Sequence, residues 1–266
     1  MKQTFSRNPQ LRARLESQLR DRLAALSLRS GDLRKLIEMC RDKQRSEDDR
    51  CEAADLLGLL GLVGSLRRER RFEIAHALLR NIREDKSKLA WCSAVALGYL
   101  DGSEAVGPLL RIVKAPVLTE TRRAAVHALG SLGKAETASV LVRVLEDPRE
   151  PTRLRAEAAE ALATCGSNSK RAIAALTRAL KTRSVQIRFF SAYALGICAR
   201  MGGLVGEDAV RELKRLLNDS SILPQFGSMS KEVAKSLRNV RRGRVGRQHG
   251  RKVARMGRRP RPKSER

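Results

Sequence analysis

The sequence contains few aromatic residues, and this shortage limits the folds that it can form. Phe, Trp and Tyr make up only 3% of the chain, whereas the hydrophobic fraction is 42%. Alanine and leucine must therefore fill the core, which favours closely packed helices over a β-sandwich or a β-barrel. The 266 residues suit one or two ordinary domains, or about six helical repeats of about 33–40 residues.

Several chemical and targeting signals are also absent from the sequence. No two cysteines have the C-x-x-C spacing of redox and zinc sites, so we interpret them as small core residues in a reducing compartment. The most apolar run, Leu56–Val63, is too short to cross a bilayer, and the first residues do not have the pattern of a secretory signal. We expect a cytoplasmic protein without a transmembrane segment. The cysteines are Cys40, Cys51, Cys92, Cys165 and Cys198.

Acidic residues are outnumbered by basic ones, and the imbalance is concentrated at the C-terminus. The chain has 55 Lys and Arg against 29 Asp and Glu, which gives a net charge of +26. Residues 231–266 alone hold 15 basic and 2 acidic residues. From Arg241 the sequence has no apolar periodicity and includes several glycines and prolines. We predict a disordered basic tail over residues 241–266.

The cations of this tail are candidates for sequence-independent nucleic-acid binding, because such binding depends on phosphate neutralisation and counterion release. No aromatic residue lies among them, so stacking on bases is not expected. A solvated tail without a partner, an acidic protein and an anionic membrane surface are the alternatives. The candidate residues are Arg241, Arg242, Arg244, Arg247, Arg251, Lys252, Arg255, Arg258, Arg259 and Arg261.

The sequence Ala-Leu-Gly near the end of a helix recurs at a regular spacing, and we refer to it as the motif. Four copies end at Gly98, Gly130, Ala163 and Gly196, in steps of 32, 33 and 33 residues, and a looser copy ends at Gly58. A period of this length indicates stacked helical hairpins, and the small residues let neighbouring helices approach closely. We call the helix that carries each copy a motif helix.

This spacing predicts an all-α, right-handed solenoid of about six helical hairpins. Residues 1–30 form an N-terminal capping helix that starts at Asn8 and Pro9, and residues 31–240 form the hairpins. The regular pairs of a first helix and a motif helix are predicted at 72–83 with 87–100, 104–114 with 119–132, 136–146 with 151–165, and 169–181 with 185–200.

An arginine lies eight residues before the end of four motif copies. Arg50, Arg122, Arg155 and Arg188 occupy this position, and Ala90 takes it in the remaining copy. The pattern R-x-x-A-x-x-A-L-G, followed by a short turn and an apolar helix, resembles HEAT repeats. It is most similar to the short bacterial type named after the phycobilisome lyases, and the resemblance covers about residues 47–217.

The resemblance implies a HEAT-like superhelix in which the motif helices line the concave face. It also implies that the repeated arginines pair with acidic groups in nearby turns, such as Asp147 and Asp219. We favour this structural role for the arginines over phosphate binding, which is the alternative.

The third and seventh positions before the end of the motif point away from the core. They place Trp91, Arg123, His127, Phe189 and Tyr193 on one surface, and we predict that these residues bind a protein partner. Trp, Tyr and Arg dominate the energetics of protein interfaces. The alternative is that Trp91 and Phe189 pack between adjacent repeats.

The sequence has no motif for catalysis, metal or cofactor binding. The three histidines lie far apart, and no phosphate-binding glycine loop or nucleophile elbow is present. We predict a non-enzymatic, monomeric scaffold or adaptor. HEAT-like DNA-base glycosylases and bilin lyases resemble this architecture, so an enzyme is the alternative. A carboxylate such as Glu157 or Glu160, or a cysteine, beside the aromatic residues in a pocket would favour it.

Overall fold

A computed structural model describes residues 9–26, 29, 32–63, 66–84, 88–100 and 103–256. In these ranges the chain is almost entirely helical. None of the helices in the described ranges is both long and apolar enough to cross a membrane. The α-helices are α1 Pro9–Ala25, α2 Leu33–Arg41, α3 Glu47–Val63, α4 Arg68–Glu84, α5 Lys88–Leu100, α6 Val106–Lys114, α7 Thr119–Leu132, α8 Ala138–Glu146, α9 Thr152–Cys165, α10 Lys170–Ala179, α11 Val185–Arg200, α12 Glu207–Arg215 and α13 Met229–Met256.

The helices after α1 form six consecutive pairs, from α2 with α3 to α12 with α13. The second helix of each pair packs against the second helix of the next pair, so α3, α5, α7, α9, α11 and α13 form one layer. The first helices form the other layer, and α1 packs on α3 at the N-terminal end. The predicted all-α solenoid of about six hairpins is confirmed.

The core repeats along the stack in the same way as the sequence does. Each first helix from α2 to α12 contributes one leucine that is fully buried, at 0% exposure. Each motif helix from α3 to α11 contributes the leucine of its motif copy, which is also fully buried. These leucines are Leu36, Leu78, Leu109, Leu141, Leu176 and Leu213 in the first layer, and Leu57, Leu97, Leu129, Leu162 and Leu195 in the second.

The motif helices approach one another so closely that backbone meets backbone. A Cβ atom on Gly130 would lie 2.9 Å from Cα of Ala161 on the next motif helix. At Gly58 the corresponding distance, to Cα of Ala96, would be 2.7 Å. Real Cβ atoms do not come this close to a backbone carbon, so glycine is required at these two crossings.

The repeated arginines connect each motif helix to its surroundings. Nε of Arg122 donates to the carbonyl of Val113 at the end of α6 (2.8 Å). The guanidinium group of Arg122 also pairs with Glu150, in the turn between α8 and α9 (2.8 Å). In Arg188, Nε and one terminal nitrogen donate to the same oxygen of Asp219 (3.2 and 2.8 Å), and the other terminal nitrogen donates to the carbonyl of Arg183 (2.8 Å). Lysine could not make this forked contact, because it lacks the planar group with several donors.

The other two arginines also close the preceding first helix, and one expected acid has a different role. Nε of Arg155 donates to the carbonyl of Leu145 (2.9 Å), and Nε of Arg50 to that of Cys40 (3.3 Å). The expected pairing of a repeated arginine with Asp219 is present in the structure. Asp147, the other expected acid, instead accepts the backbone N–H of Arg149 (2.9 Å) within its own turn.

The two ends of the stack differ from the repeats. A two-stranded hairpin, β1 Ile222–Leu223 and β2 Gly227–Ser228, replaces the short turn before α13. Helix α13 buries Met229, Val233 and Val240, and it continues past residue 240 to Met256. Residues 1–8 and 257–266 lie outside the described residues.

We expect Gly130→Ala to destabilise the protein by about 1–3 kcal/mol relative to Gly107→Ala, because the added methyl group overpacks the contact with Ala161. Gly107 is also in a helix, but only the flexible end of Arg111 lies within 4 Å of its Cβ position. Both changes add the helix propensity of alanine, so their difference isolates the crossing. Urea unfolding monitored by circular dichroism measures it, and equal stabilities would contradict the close packing.

Candidate partner-binding site

A cavity of about 370 Å³ opens on the layer of motif helices, and we call it the motif-face pocket. It spans four consecutive motif helices, α5, α7, α9 and α11, together with the hairpin between α12 and α13. A ligand bound there would therefore contact several repeats at once. The lining residues are Trp91, Arg123, His127, Arg153, Ala156, Glu157, Glu160, Gln186, Phe190 and Phe226.

Three of the five predicted partner-binding residues meet at one end of this pocket. The rings of Trp91 on α5 and His127 on α7 lie 4.5 Å apart between centroids. The guanidinium carbon of Arg123 lies 5.4 Å from the centroid of the Trp91 ring, within the range of a cation–π interaction. All three side chains are half-buried, so they form a preorganised wall that is still accessible.

Carboxylates hold the polar side chains of this wall in place. Glu157 has a side chain that is only 8% exposed, and its Oε1 lies 3.0 Å from Nδ1 of His127. Its Oε2 lies 3.5 Å from a terminal nitrogen of Arg123, which also pairs with Glu120 at 2.6 Å. Nε of Arg123 is buried and has no hydrogen-bond partner among the described residues.

Glu160, one helical turn after Glu157, is the acceptor that the pocket leaves free. Burial raises the pKa of the Glu160 carboxyl to about 7; the charge of Glu157 adds to the rise and His127 opposes it. No donor among the described residues contacts this carboxyl group. A half-buried carboxyl without a partner is costly, and a ligand that donates a hydrogen bond would remove the cost.

Phenylalanines form the other end of the pocket. Phe190 on α11 contacts Phe226 of the hairpin in an edge-on arrangement, with centroids 5.0 Å apart, and Phe226 is 55% exposed. Phe189, which the sequence analysis places on the binding surface, is only 4% exposed and packs against both rings. For Phe189 the structure therefore shows the packing that the sequence left open as an alternative.

Sequence reasoning missed Phe190 and Phe226. Phe226 belongs to the hairpin, which has no counterpart among the described residues of the other repeats and therefore no position relative to a motif copy. The one signal in the sequence was the unusual length of the segment between α12 and α13. In the structure, Gln225 and Gly227 of this segment have positive φ angles of 69° and 102°. Such insertions in a regular scaffold often carry function.

The fifth predicted residue, Tyr193, lies next to the pocket rather than in its lining. Its ring is half-buried and faces Nζ of Lys235, which lies 5.8 Å from the ring centroid. Burial raises the pKa of the Tyr193 hydroxyl, and the charge of Glu160 adds to this rise. The charge of Glu160 in the pocket thus acts on Tyr193, although Tyr193 lies outside the lining.

The predicted nucleic-acid-binding residues lie on α13 and beyond it. Arg241 and Arg242 are exposed on the helix. Arg244, Arg247, Arg251, Lys252 and Arg255 lie in the same helix, where only the backbone is described, and Arg258, Arg259 and Arg261 fall outside the described residues. Across the described part of the chain, no group of three His, Cys, Asp or Glu side chains could hold a metal ion.

Comparison with known proteins identifies the repeat type. Residues 74–163 match HEAT repeats, and residues 154–182 match the PBS lyase HEAT-like repeat. A comparison with curated protein sequences finds no significant match.

Solved structures with related helical arrangements have low sequence identity to this chain. A designed armadillo repeat protein, YIII(Dq.V1)4CPAF in complex with the peptide (KR)4, is 16% identical, with a TM-score of 0.48 and coverage of 79% of this chain and 100% of the designed one. An engineered protein is 21% identical, with a TM-score of 0.45 and coverage of 80% and 98%. The complex of CpcE and CpcF of phycocyanin lyase from Nostoc sp. PCC7120 is 18% identical, with a TM-score of 0.45 and coverage of 88% and 91%.

The repeated motif, the paired helices and the two sequence matches agree on one assignment. Residues 74–182 of this chain are similar to HEAT repeats, and this segment includes a match to the PBS lyase HEAT-like repeat.

Proposed function

We propose that this protein is a repeat scaffold that binds a segment of a partner protein in the motif-face pocket. The observation that carries the proposal is the combination of aromatic walls with a half-buried carboxyl group, that of Glu160. Trp91 and Phe226 offer large apolar surfaces at opposite ends. Between them, the carboxyl group of Glu160 has no hydrogen-bond donor among the described residues. Binding sites typically combine apolar walls with a few polar groups that fix orientation.

The arrangement of the polar groups indicates what such a segment must supply. Glu157 is already satisfied by Arg123 and His127, so it holds the wall in place. Glu160 is the group that needs a donor, such as a backbone N–H, an amide or a cationic side chain of the partner. Because the walls come from four motif helices and a hairpin, an extended segment could contact all of them.

We expect Phe226→Ala to weaken partner binding by about 2 kcal/mol, roughly thirtyfold, because it removes an exposed aromatic anchor. The partner is first isolated by pulldown from native extract treated with nuclease, and its affinity is then measured by calorimetry. Phe72→Ala is the matched control, since Phe72 is also 55% exposed but lies on α4, in the other layer.

Circular dichroism should show that both phenylalanine variants remain folded. Equal affinity of wild type and Phe226→Ala for the isolated partner would rule out the hairpin wall as part of the binding site. Equal losses in both variants would show that the loss is not specific to the motif-face pocket.

We expect Glu160→Gln to stabilise the protein at pH 8 by about 1–3 kcal/mol and to have little effect at pH 5. The pKa of Glu160 in the folded protein, about 7, lies above its ordinary value of 4.5, so folding favours the protonated form. The stabilisation of the wild-type fold by the protonated Glu160 carboxyl is complete below pH 4.5 and is lost as the pH rises through 7. Thermal unfolding at both pH values measures the stability difference between wild type and Glu160→Gln. Glu136→Gln is the control, because Glu136 is exposed. A stability difference that does not change with pH would refute the prediction.

An enzyme is the second candidate, and one observation favours it. A carboxyl group with a pKa of about 7 lies in a pocket between aromatic walls, and such a group can donate or accept a proton near neutral pH. Release of a free base from alkylated DNA, tested with wild type and Glu160→Gln, distinguishes a base-releasing enzyme from a scaffold.

The basic C-terminal segment adds a second proposed activity, sequence-independent association with nucleic acid. Its support is charge, because 15 of the last 36 residues are Lys or Arg. The buried side chains of α13 extend to Val240, so a truncation after Gly243 keeps the buried part of this helix.

We expect truncation after Gly243 to weaken binding to DNA and RNA of any sequence and to flatten the salt dependence of the remaining affinity. The thermal unfolding midpoint should change little. Fluorescence anisotropy with a labelled duplex at several salt concentrations measures both effects. Undiminished affinity of the truncated protein would place the nucleic-acid contact elsewhere.

A further inference from the structure

A second cavity opens in the layer of first helices, between α4 and α6, and we call it the first-helix furrow. Its volume is about 550 Å³. Leu79 and Ile112 form its floor and are 4% and 7% exposed. Val117, at one end, is 45% exposed, and the neighbouring Leu118 is 49% exposed. The furrow therefore offers an apolar floor that continues into exposed apolar side chains.

The rim of the furrow is basic. Arg83 on α4 and Arg111 on α6 both line it, and both are exposed. Among the described residues, neither arginine has a carboxylate partner and no acidic side chain lines the furrow. This differs from Arg80, also on α4, whose Nε lies 2.8 Å from Glu84.

The repeats provide an internal comparison for Arg111. It lies two residues after the buried Leu109 of its first helix, and Arg143 and Arg178 have the same position relative to Leu141 and Leu176. Arg178 pairs with Glu146. Arg143 is exposed and has no carboxylate partner in the described ranges, but it does not line the furrow. Arg111 therefore combines a free charge with an adjoining apolar cavity.

We propose that the first-helix furrow binds a segment of a partner protein in which a large apolar side chain is flanked by carboxylates. The apolar side chain would occupy the floor over Leu79 and Ile112. The carboxylates would pair with Arg83 and Arg111, whose planar guanidinium groups suit forked contacts with carboxylates. Charge and apolar surface are thus matched by one ligand, as in helix-in-groove recognition.

The lining of the furrow favours such a peptide over nucleic acid. Among the described residues that line it, His76 is the one ring that could stack on a base, no Phe, Tyr or Trp is present, and a phosphate backbone would leave the apolar floor uncovered. The furrow lies in the opposite layer from the motif-face pocket. The proposal therefore goes beyond the function proposed above, and the two sites can fail or hold separately.

The test uses a display library of random peptides of about twelve residues, selected on the full-length protein. We expect a class of enriched peptides that combine Leu, Ile or Phe with Asp or Glu. By fluorescence anisotropy, Arg83→Glu combined with Arg111→Glu should weaken binding of this class by at least about tenfold, which corresponds to about 1.4 kcal/mol. Arg143→Glu is the matched control and should change the affinity by less than about twofold.

Two further variants separate recognition from folding. Val117→Ser should also weaken the same peptides, because it removes exposed apolar surface beside the furrow, whereas Phe226→Ala should leave their affinity unchanged. If the charge reversals lower the thermal unfolding midpoint, Arg83→Gln with Arg111→Gln replaces them, and a weaker loss of affinity is then expected.

Three results would overturn the proposal. The first is a selection that yields no peptide sensitive to the two arginine substitutions. The second is sensitive peptides that keep their affinity when their apolar residues are replaced by Gln. The third is that binding of a labelled single-stranded oligothymidylate depends on Arg83 and Arg111, whereas binding of the selected peptides does not. This result would assign the furrow to nucleic acid.

Discussion

The close contact between consecutive motif helices is the constraint on which the rest of the structure depends. Because the backbones meet at crossings such as Gly130 with Ala161, neighbouring motif helices have a fixed separation and register. Residues at matched positions on adjacent helices then fall within ring-contact distance, as Trp91 and His127 do. The wall of the motif-face pocket is therefore a consequence of small residues that do not themselves reach the pocket.

Arginine has two roles in this protein, and the structure separates them by partner. Arg122 and Arg188 are largely buried against carbonyls and carboxylates, and they join one repeat to the turn of the next. Arg83 and Arg111 are exposed beside an apolar cavity and have no such partners in the part of the chain that the structure describes. A net charge of +26 does not distinguish these roles, because charge describes the surface as a whole. What distinguishes them is whether the local structure already supplies an anion.

The sequence predicts the periodic part of the molecule well and the non-periodic part poorly. The motif positions locate the paired helices, and equal offsets from the motif bring Trp91, Arg123 and His127 together. The same argument fails for Phe189, because Phe226 from the non-repeated hairpin packs against it. The raised pKa of Glu160 and the first-helix furrow depend on how neighbouring side chains enclose space. A spacing rule contains no information about that enclosure.

The hairpin at the end of the stack links the number of repeats to the size of the ligand. One wall of the motif-face pocket, Trp91, belongs to a repeat, whereas the other, Phe226, belongs to a segment that occurs once among the described residues. Duplication of the unit formed by α6 and α7 would move these walls apart by one helix spacing, about 10 Å. Loss of a unit would bring them together. The number of repeats between the two walls therefore sets the length of the segment that fits between them, and evolution or design could change this length without changing either wall.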